Sequence, residues 1–136
     1  MIRVALAFDY GQKNIGIAVG QTLTGTAQAL KTITSKNKRI NWGQITFLVN
    51  EWDPEIFIVG LPTLKTGYKH ALKIEIEKFS RRLTGRYSRP VEFVDERLSS
   101  RAAVNYAEEV QQTGLDAVAA KLILETWLQE RTGTLL

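Results

Sequence analysis

Three carboxylates stand where predicted regular elements meet loops. Asp9 closes the apolar run Val4-Ala5-Leu6-Ala7-Phe8 and is followed at once by Tyr10-Gly11, Glu96 follows Val91-Glu92-Phe93-Val94-Asp95, and Asp116 opens an apolar helical pattern just after Gly114. Carboxylate oxygens are the donors that hard divalent cations prefer, and Mg²⁺ is commonly held by one or two of them together with substrate phosphates. In phosphodiester hydrolysis two such ions, about 3.5–4 Å apart, activate the attacking water and stabilise the leaving oxygen. On a chain with a formal charge of +4, the trio predicts a site where Mg²⁺ or Mn²⁺, as a two-metal pair, meets a polyanion. Asp9 is the natural ligand shared by both ions. Clustered acids left unneutralised repel one another and raise a pKa, so cations or a proton must accompany them.

Each acid taken alone also has an ordinary role. Asp before glycine is a turn former, Glu96 can pair with Arg97 or Arg101, and Asp116 can satisfy a helix N-terminus. Their joint placement is what favours the metal site. Asp95 neighbours Glu96, but strand alternation points the two in opposite directions, so only one of them faces the metals. His70 is the single histidine, which leaves no histidine cluster for zinc. Trp42, Trp52 and Trp127 suit core or helix packing, and Tyr68 and Tyr87 flank a basic helix where they could touch nucleic acid or pack at its rim. The glycines of Asp9–Gly16 are not followed by the Gly-Lys-Ser/Thr ending of a Walker loop.

The elements that must position these acids can be read from hydrophobic period. Residues 2–9 alternate, with Ile2, Val4, Leu6 and Phe8 on one face and Arg3, Ala5, Ala7 and Asp9 on the other, which is a central strand. The small Ala5 and Ala7 let a helix pack close beneath the face that carries Asp9. A turn at 10–13 leads to a strand at 14–20, with Ile15, Ile17 and Val19 opposite Gly16 and Ala18, and a less regular edge strand follows at 25–34. Ser35 or Asn37 is predicted to cap a helix running to about Trp52, which Asp53-Pro54 stops. Residues 56–60 form a strand buried on both faces. A basic helix from about Tyr68 to Leu83 is broken by Gly85, and 91–95 is the fifth strand. Ser99 caps a helix ending near Thr113 with Gly114 at its left-handed exit. Leu115–Arg131 forms the last helix, with Leu115, Val118, Ala119, Leu122 and Ile123 facing inward. The predicted class is α/β: a mixed five-stranded sheet, three antiparallel strands then two parallel additions, flanked by helices on both faces.

Composition narrows the class of molecule. The 136 residues, 44% of them hydrophobic, fit one domain spanning 1–136 with a single core. The absence of cysteine removes disulfides and thiolate metal sites and fits a reducing cytoplasm. No apolar run approaches the roughly 18 residues of a membrane span, so a cytoplasmic protein without membrane partners is expected. The positive charge is concentrated: Lys65–Arg89 carries eight Lys or Arg against two acids, a local +6 that leaves −2 for the remainder. A smaller cluster comprises Lys31, Lys36, Lys38 and Arg39. Such clusters serve solubility in many proteins, but beside a carboxylate site they suit a phosphate track. The expected nucleic-acid contacts are Lys13, Lys65, Lys69, Lys73, Arg81, Arg82 and Arg97.

Four segments resemble the motifs of a known family. They are Phe8-Asp9-Tyr10-Gly11-Gln12-Lys13-Asn14-Ile15-Gly16-Ile17-Ala18-Val19-Gly20, Ile58-Val59-Gly60-Leu61-Pro62, Asp95-Glu96-Arg97-Leu98-Ser99-Ser100, and Leu115-Asp116-Ala117-Val118-Ala119-Ala120 followed by Ile123-Leu124. In this order, across nearly the whole chain, they resemble the YqgF-type, RuvX-like group of the RNase H-like superfamily. That group is described as Holliday junction resolvases by analogy and as nucleases processing the precursor of small-subunit ribosomal RNA. The resemblance implies an RNase H-like fold and a divalent-metal site carried by Asp9, Glu96 and Asp116. Three departures accompany it. Ser100 stands where threonine is usual, Thr66 replaces the Asp or Asn common before Gly67, and the stretch before Asp116 is short and poor in lysine and arginine.

The leading functional expectation is therefore a metal-dependent endonuclease acting on structured RNA, at the 5′ end of the pre-16S ribosomal RNA. Cleavage of branched DNA at a Holliday junction is the alternative, and it would favour a symmetric homodimer. A non-catalytic nucleic-acid binder of the same fold is the second alternative. A nucleotide-binding protein of the actin and sugar-kinase type fits poorly, since the chain is too short for two lobes and shows no second phosphate loop.

Overall fold

A computed structural model of the protein describes residues 3–62, 69–95 and 107–132. Strands β1 (Val4–Tyr10), β2 (Asn14–Gln21), β3 (Thr26–Thr34), β4 (Ile56–Leu61) and β5 (Val91–Asp95) form one sheet in the order β3-β2-β1-β4-β5. The first three pair antiparallel, while β4 lies parallel to β1 and β5 parallel to β4. This is the mixed sheet that the sequence pattern implies. The helices described are α1 (Trp42–Trp52), α2 (Lys69–Tyr87), α3 (Ala107–Thr113) and α4 (Leu115–Thr132).

Alternation along β1 and β2 sorts two chemically different faces. Leu6, Phe8, Ile15, Ile17 and Val19 pack with Ile45, Leu48 and Val49 of α1 and with Ile76, Phe79 and Leu83 of α2. Phe8 meets Phe57 and Phe79 edge-on at 5.8 and 5.4 Å between ring centroids, the orientation that ring quadrupoles favour. The other face carries Ala5, Ala7 and Ala18, joined by Ile56, Ile58 and Val94, and packs against Ala120, Ile123, Leu124, Trp127 and Leu128 of α4. Large side chains therefore support α1 and α2, and small ones let α4 lie close.

Several boundaries differ from the sequence expectation, each for a local reason. The helix start expected at Ser35 or Asn37 falls instead at Trp42. Asn37 and Lys38 both take positive φ, 51° and 62°, reversing the chain so that Lys36 and Arg39 pair in an antiparallel bridge, the geometry of a tight primed turn. Asn41 then caps α1, its side-chain oxygen accepting from the Gln44 N–H at 3.2 Å. Gly85 does not end α2, which continues to Tyr87. A glycine inside a helix costs only about 1 kcal/mol, which burial of flanking residues offsets; α2 ends at Ser88, with φ 57° and its N–H donating to the Thr84 carbonyl at 2.8 Å. Leu115, expected inward, is 41% exposed because the first turn of α4 directs Ala117 and Val118 at β3 instead. Irregular alternation in β3 comes from a bulge: Ile17 pairs with Lys31 but Ala18 with Ala29, leaving Leu30 without a partner. The expected cap Ser99 lies outside the described residues.

The C-terminal part of α4 is tied to β5 through one carboxylate. Glu92 accepts from the Trp127 indole N–H at 3.0 Å and from Arg131 at 2.7 and 2.8 Å. The indole hydrogen bond, helped by the hydrogen bond and charge of Arg131 and by the charge of Arg3, holds the Glu92 carboxyl below its ordinary value against the opposing effect of burial. A depressed folded-state pKa contributes stability that is present above the unfolded value of 4.5 and is lost as pH falls through the folded value. We expect Glu92→Gln to lower Tm at pH 7 by an amount corresponding to about 1 kcal/mol or less, because the group is partly exposed. Thermal melts of the two proteins should converge as pH is taken progressively below 4.5, and a constant difference across that range would contradict the linkage.

Candidate functional site

The site is built where β1, β2 and α4 meet. Asp9 is the penultimate residue of β1, only 8% exposed, and its Cα partner on β2 is Gly16. Residues directly opposed across an antiparallel pair project to the same face, with Cα atoms ~4.5–5.5 Å apart. Gly16 faces α4: a Cβ placed on it would lie 1.8 Å from the Asp116 carbonyl oxygen and 2.5 Å from the Ala117 nitrogen. The backbone of Asp116 therefore rests on the Cα of Gly16, beside Asp9. Two acids that lie 107 positions apart in the sequence are brought to one strand end because residue 16 has no side chain.

A second contact fixes the start of α4. Gly114 takes φ 95°, a left-handed conformation that suits glycine, and its N–H donates to the Val110 carbonyl at 2.8 Å as α3 ends. Thr32 on β3 is the Cα partner of Gly16 on its other side. Its hydroxyl donates to the Thr113 carbonyl at 2.8 Å and accepts from the Ala117 N–H at 3.2 Å. One hydroxyl thus satisfies an orphan carbonyl of α3 and an orphan N–H of α4. Thr32 gave no signal in the sequence, where it is one of several threonines on an edge strand; only the register of β3 on Gly16 reveals it.

The electrostatics of this corner suit a cation. The Asp116 carboxyl is pushed up by burial alone, so its charged form lacks adequate compensation from water. A hard cation would supply countercharge there, since carboxylate oxygens are the donors such ions prefer. Asp95 ends β5 exposed, one position past Val94, which faces α4, so its side chain points away from the face that Asp9 and Asp116 share. Glu96, the third expected carboxylate, lies outside the described residues, as do Arg97 and Lys65. Among the described residues no three potential metal ligands cluster.

The expected phosphate contacts are spread over several surfaces. Lys13 is exposed in the β1–β2 turn, Lys69 opens α2, Lys73 is half-buried, and Arg81 and Arg82 are exposed on the same helix. Tyr87 is not available to nucleic acid in the way a free surface ring would be. It packs against Phe57 at 5.9 Å and its hydroxyl bonds Thr46 at 2.7 Å.

Residues 3–130 match the family model RuvX, described as "Holliday junction resolvase". This chain belongs to that family. It is 41% identical over 137 residues to an Aeromonas hydrophila protein, covering 96% of this chain and 98% of that one. It is 44% identical over 135 residues to a Saccharophagus degradans protein, covering 95% of each. Both relatives are named "Putative pre-16S rRNA nuclease". The fold is that of T. thermophilus RuvC, solved with its Holliday junction substrate, at TM-score 0.59 and 15% identity over 97% of both chains. It is also that of the fowlpox virus resolvase, solved with junction DNA, at TM-score 0.55 and 12% identity over 94% of this chain and 98% of that one. The chain thus has an RNase H-like α/β fold, shared with those two resolvases.

Two substitutions test this construction. Gly16→Ala forces backbone apart rather than a side chain, and should cost ~3 kcal/mol or more, read as a large fall in Tm. Thr32→Val keeps shape but strands the Ala117 N–H and Thr113 carbonyl, and should cost about 1–3 kcal/mol. Hydrogen exchange should then show faster opening at residues 113–118 while β4 stays protected; uniform acceleration, or none, would contradict the anchoring role.

Proposed function

We propose that this protein is a metal-dependent endonuclease that hydrolyses phosphodiester bonds in structured RNA, at the 5′ end of pre-16S ribosomal RNA. The reading is supported by the packing of the Asp116 backbone on Gly16, the strand partner of Asp9, in a family with relatives named "Putative pre-16S rRNA nuclease". Asp9, Glu96 and Asp116 would hold Mg²⁺ or Mn²⁺ as a two-metal site, and the ions would supply an activated water and stabilise the leaving oxygen. The protein's own part is positional. The end of β1 fixes the Asp9 carboxylate, Thr32 and Gly16 fix the start of α4 and with it Asp116, and the walls of the site limit water around both acids. Lys13, Lys65, Lys69, Lys73, Arg81, Arg82 and Arg97 would engage backbone phosphates, which supply most of the affinity of nucleic-acid complexes.

The family description favours a second substrate, the four-way DNA junction. Its two-fold symmetry calls for a symmetric homodimer, so a monomer at working concentration argues against it. No helix among the described residues is long and apolar enough to cross a membrane, and a cysteine-free chain suits the cytoplasm, where pre-ribosomal RNA would be met.

The deciding experiment incubates wild type and Asp9→Asn with precursor ribosomal RNA and with a four-way junction, each with Mn²⁺ and with chelator. Wild type should cut the RNA only with metal. Asp9→Asn should lose at least ~100-fold in rate, more than outer-shell changes at metal sites cost, while still binding the RNA. Cutting of the junction in preference to RNA would select the second substrate, and cleavage of neither would overturn the enzyme reading in favour of a non-catalytic binder.

A further inference from the structure

Opposite the carboxylates, the same strand end opens into a cleft of about 180 Å³ lined by Tyr10, Lys38, Ile40, Glu75, Lys78, Phe79 and Arg82. Tyr10 follows Asp9 directly, so the two α-carbons are ~3.8 Å apart while their side chains leave opposite faces of the sheet. The cleft has an apolar back wall, where the Tyr10 ring lies against Phe79 at 5.1 Å. Three cations come from two separate elements. Lys78 and Arg82 stand one helical turn apart on α2, and Lys38 is presented by the 36–39 turn, whose left-handed Asn37 and Lys38 bend it toward the helix.

The single acid in this cleft is already engaged. Glu75 accepts from the Gln12 side chain at 2.9 Å, whereas the three cations form no ion pair with any described residue. Arg86 continues the ridge one turn further, its guanidinium 4.2 Å from the Trp42 ring centroid, a stacked position that leaves its edge open to an anion.

We propose that Lys38, Lys78 and Arg82 form a phosphate-binding cleft that grips the nucleic-acid backbone on the sheet face opposite the carboxylates. The ligand class is a backbone phosphodiester of the substrate strand. Charge supports this occupant: three exposed cations with no ion-pair partner among the described residues face one acid already hydrogen-bonded to Gln12, a balance that favours an anion, and the cleft has room for a phosphate group. The strand would then wrap around the end of β1, held by cations on one face and presented to Asp9 on the other. This inference rests on the nuclease reading for the identity of the polymer, but its own test measures binding and not cleavage.

Binding of a precursor ribosomal RNA fragment and of a four-way DNA junction is measured in chelator across a range of salt concentrations. The proteins compared are wild type, Lys78→Gln, Arg82→Gln, the double variant, and Arg3→Gln at the far end of β1 as a charge-matched control. Each lost phosphate contact lowers the slope of log affinity against log salt by roughly 0.7–0.9, so each cleft variant should lower it by about one, and the double variant by about two. Arg3→Gln should leave it within error of wild type. A lowered slope on both polymers supports a backbone contact common to them, and a lowered slope on one identifies that polymer as the source of the phosphate. Slopes unchanged in the double variant, or lowered equally by Arg3→Gln, overturn the cleft. Lys78 and Arg82 are exposed, with no ion-pair partner among the described residues, so Tm should hold; Lys38→Gln repeats the measurement from a separate element should α2 prove sensitive. Failure of wild-type cleavage with these slopes intact would remove the nuclease reading and leave the cleft standing.

Discussion

The contact between the backbone of α4 and the bare α-carbon of Gly16 is the constraint on which the rest of the structure depends. Helix and sheet normally meet through interposed side chains. Here Ala5, Ala7, Gly16, Ala18 and Gly20 present almost no side-chain bulk, and the helix settles to backbone contact at its N-terminal end. Nothing at that point can be enlarged without moving main chain, so the position of Asp116 is set by sterics and not by a flexible tether. Thr32 completes the arrangement by satisfying the polar groups freed where α3 turns into α4. Precise placement matters for a cation site, because ligand oxygens misplaced by about 1 Å no longer bind a small ion in its preferred geometry.

The two faces of the sheet divide the work. The face under α1 and α2 is filled with large aromatic and branched side chains and supplies most of the apolar burial. The face under α4 gives up much of that burial in exchange for proximity. At the end of β1 the division becomes chemical, with the Asp9 carboxylate on the tight face and Tyr10 with its surrounding cations on the other. Adjacent residues of one strand thereby carry opposite electrostatic environments to the two sides of a single edge.

Local period sufficed for strand placement because each strand has a distinct alternation: β1 and β2 each pair a large-residue face with a small one, and β4 is apolar throughout, as a strand covered on both sides must be. The errors came where local preference and tertiary context disagree. Ser35 and Asn37 are good caps by type, yet the chain needed to reverse before α1 could begin, and two left-handed residues achieved that. Gly85 is a helix breaker by type, yet Leu83 and Tyr87 on either side of it are packed, and the modest cost of one glycine did not outweigh them. Leu115 followed the apolar pattern but fell on the outer side of the first turn. In each case an intrinsic preference of about 1 kcal/mol yielded to packing that no window of sequence contains.

By itself, the sequence determined the order and type of the elements, the small-residue face of β1 and β2, and the concentration of positive charge on α2, because these follow from residue size, period and charge. It also singled out Asp9 and Asp116 as acids at element ends. The tertiary structure alone decided that these two acids share one strand end, that Thr32 anchors the helix bearing one of them, and that Lys38 joins Lys78 and Arg82 in one cleft. Those facts depend on strand register and on close approach between segments distant in the chain, and neither is encoded in any local pattern.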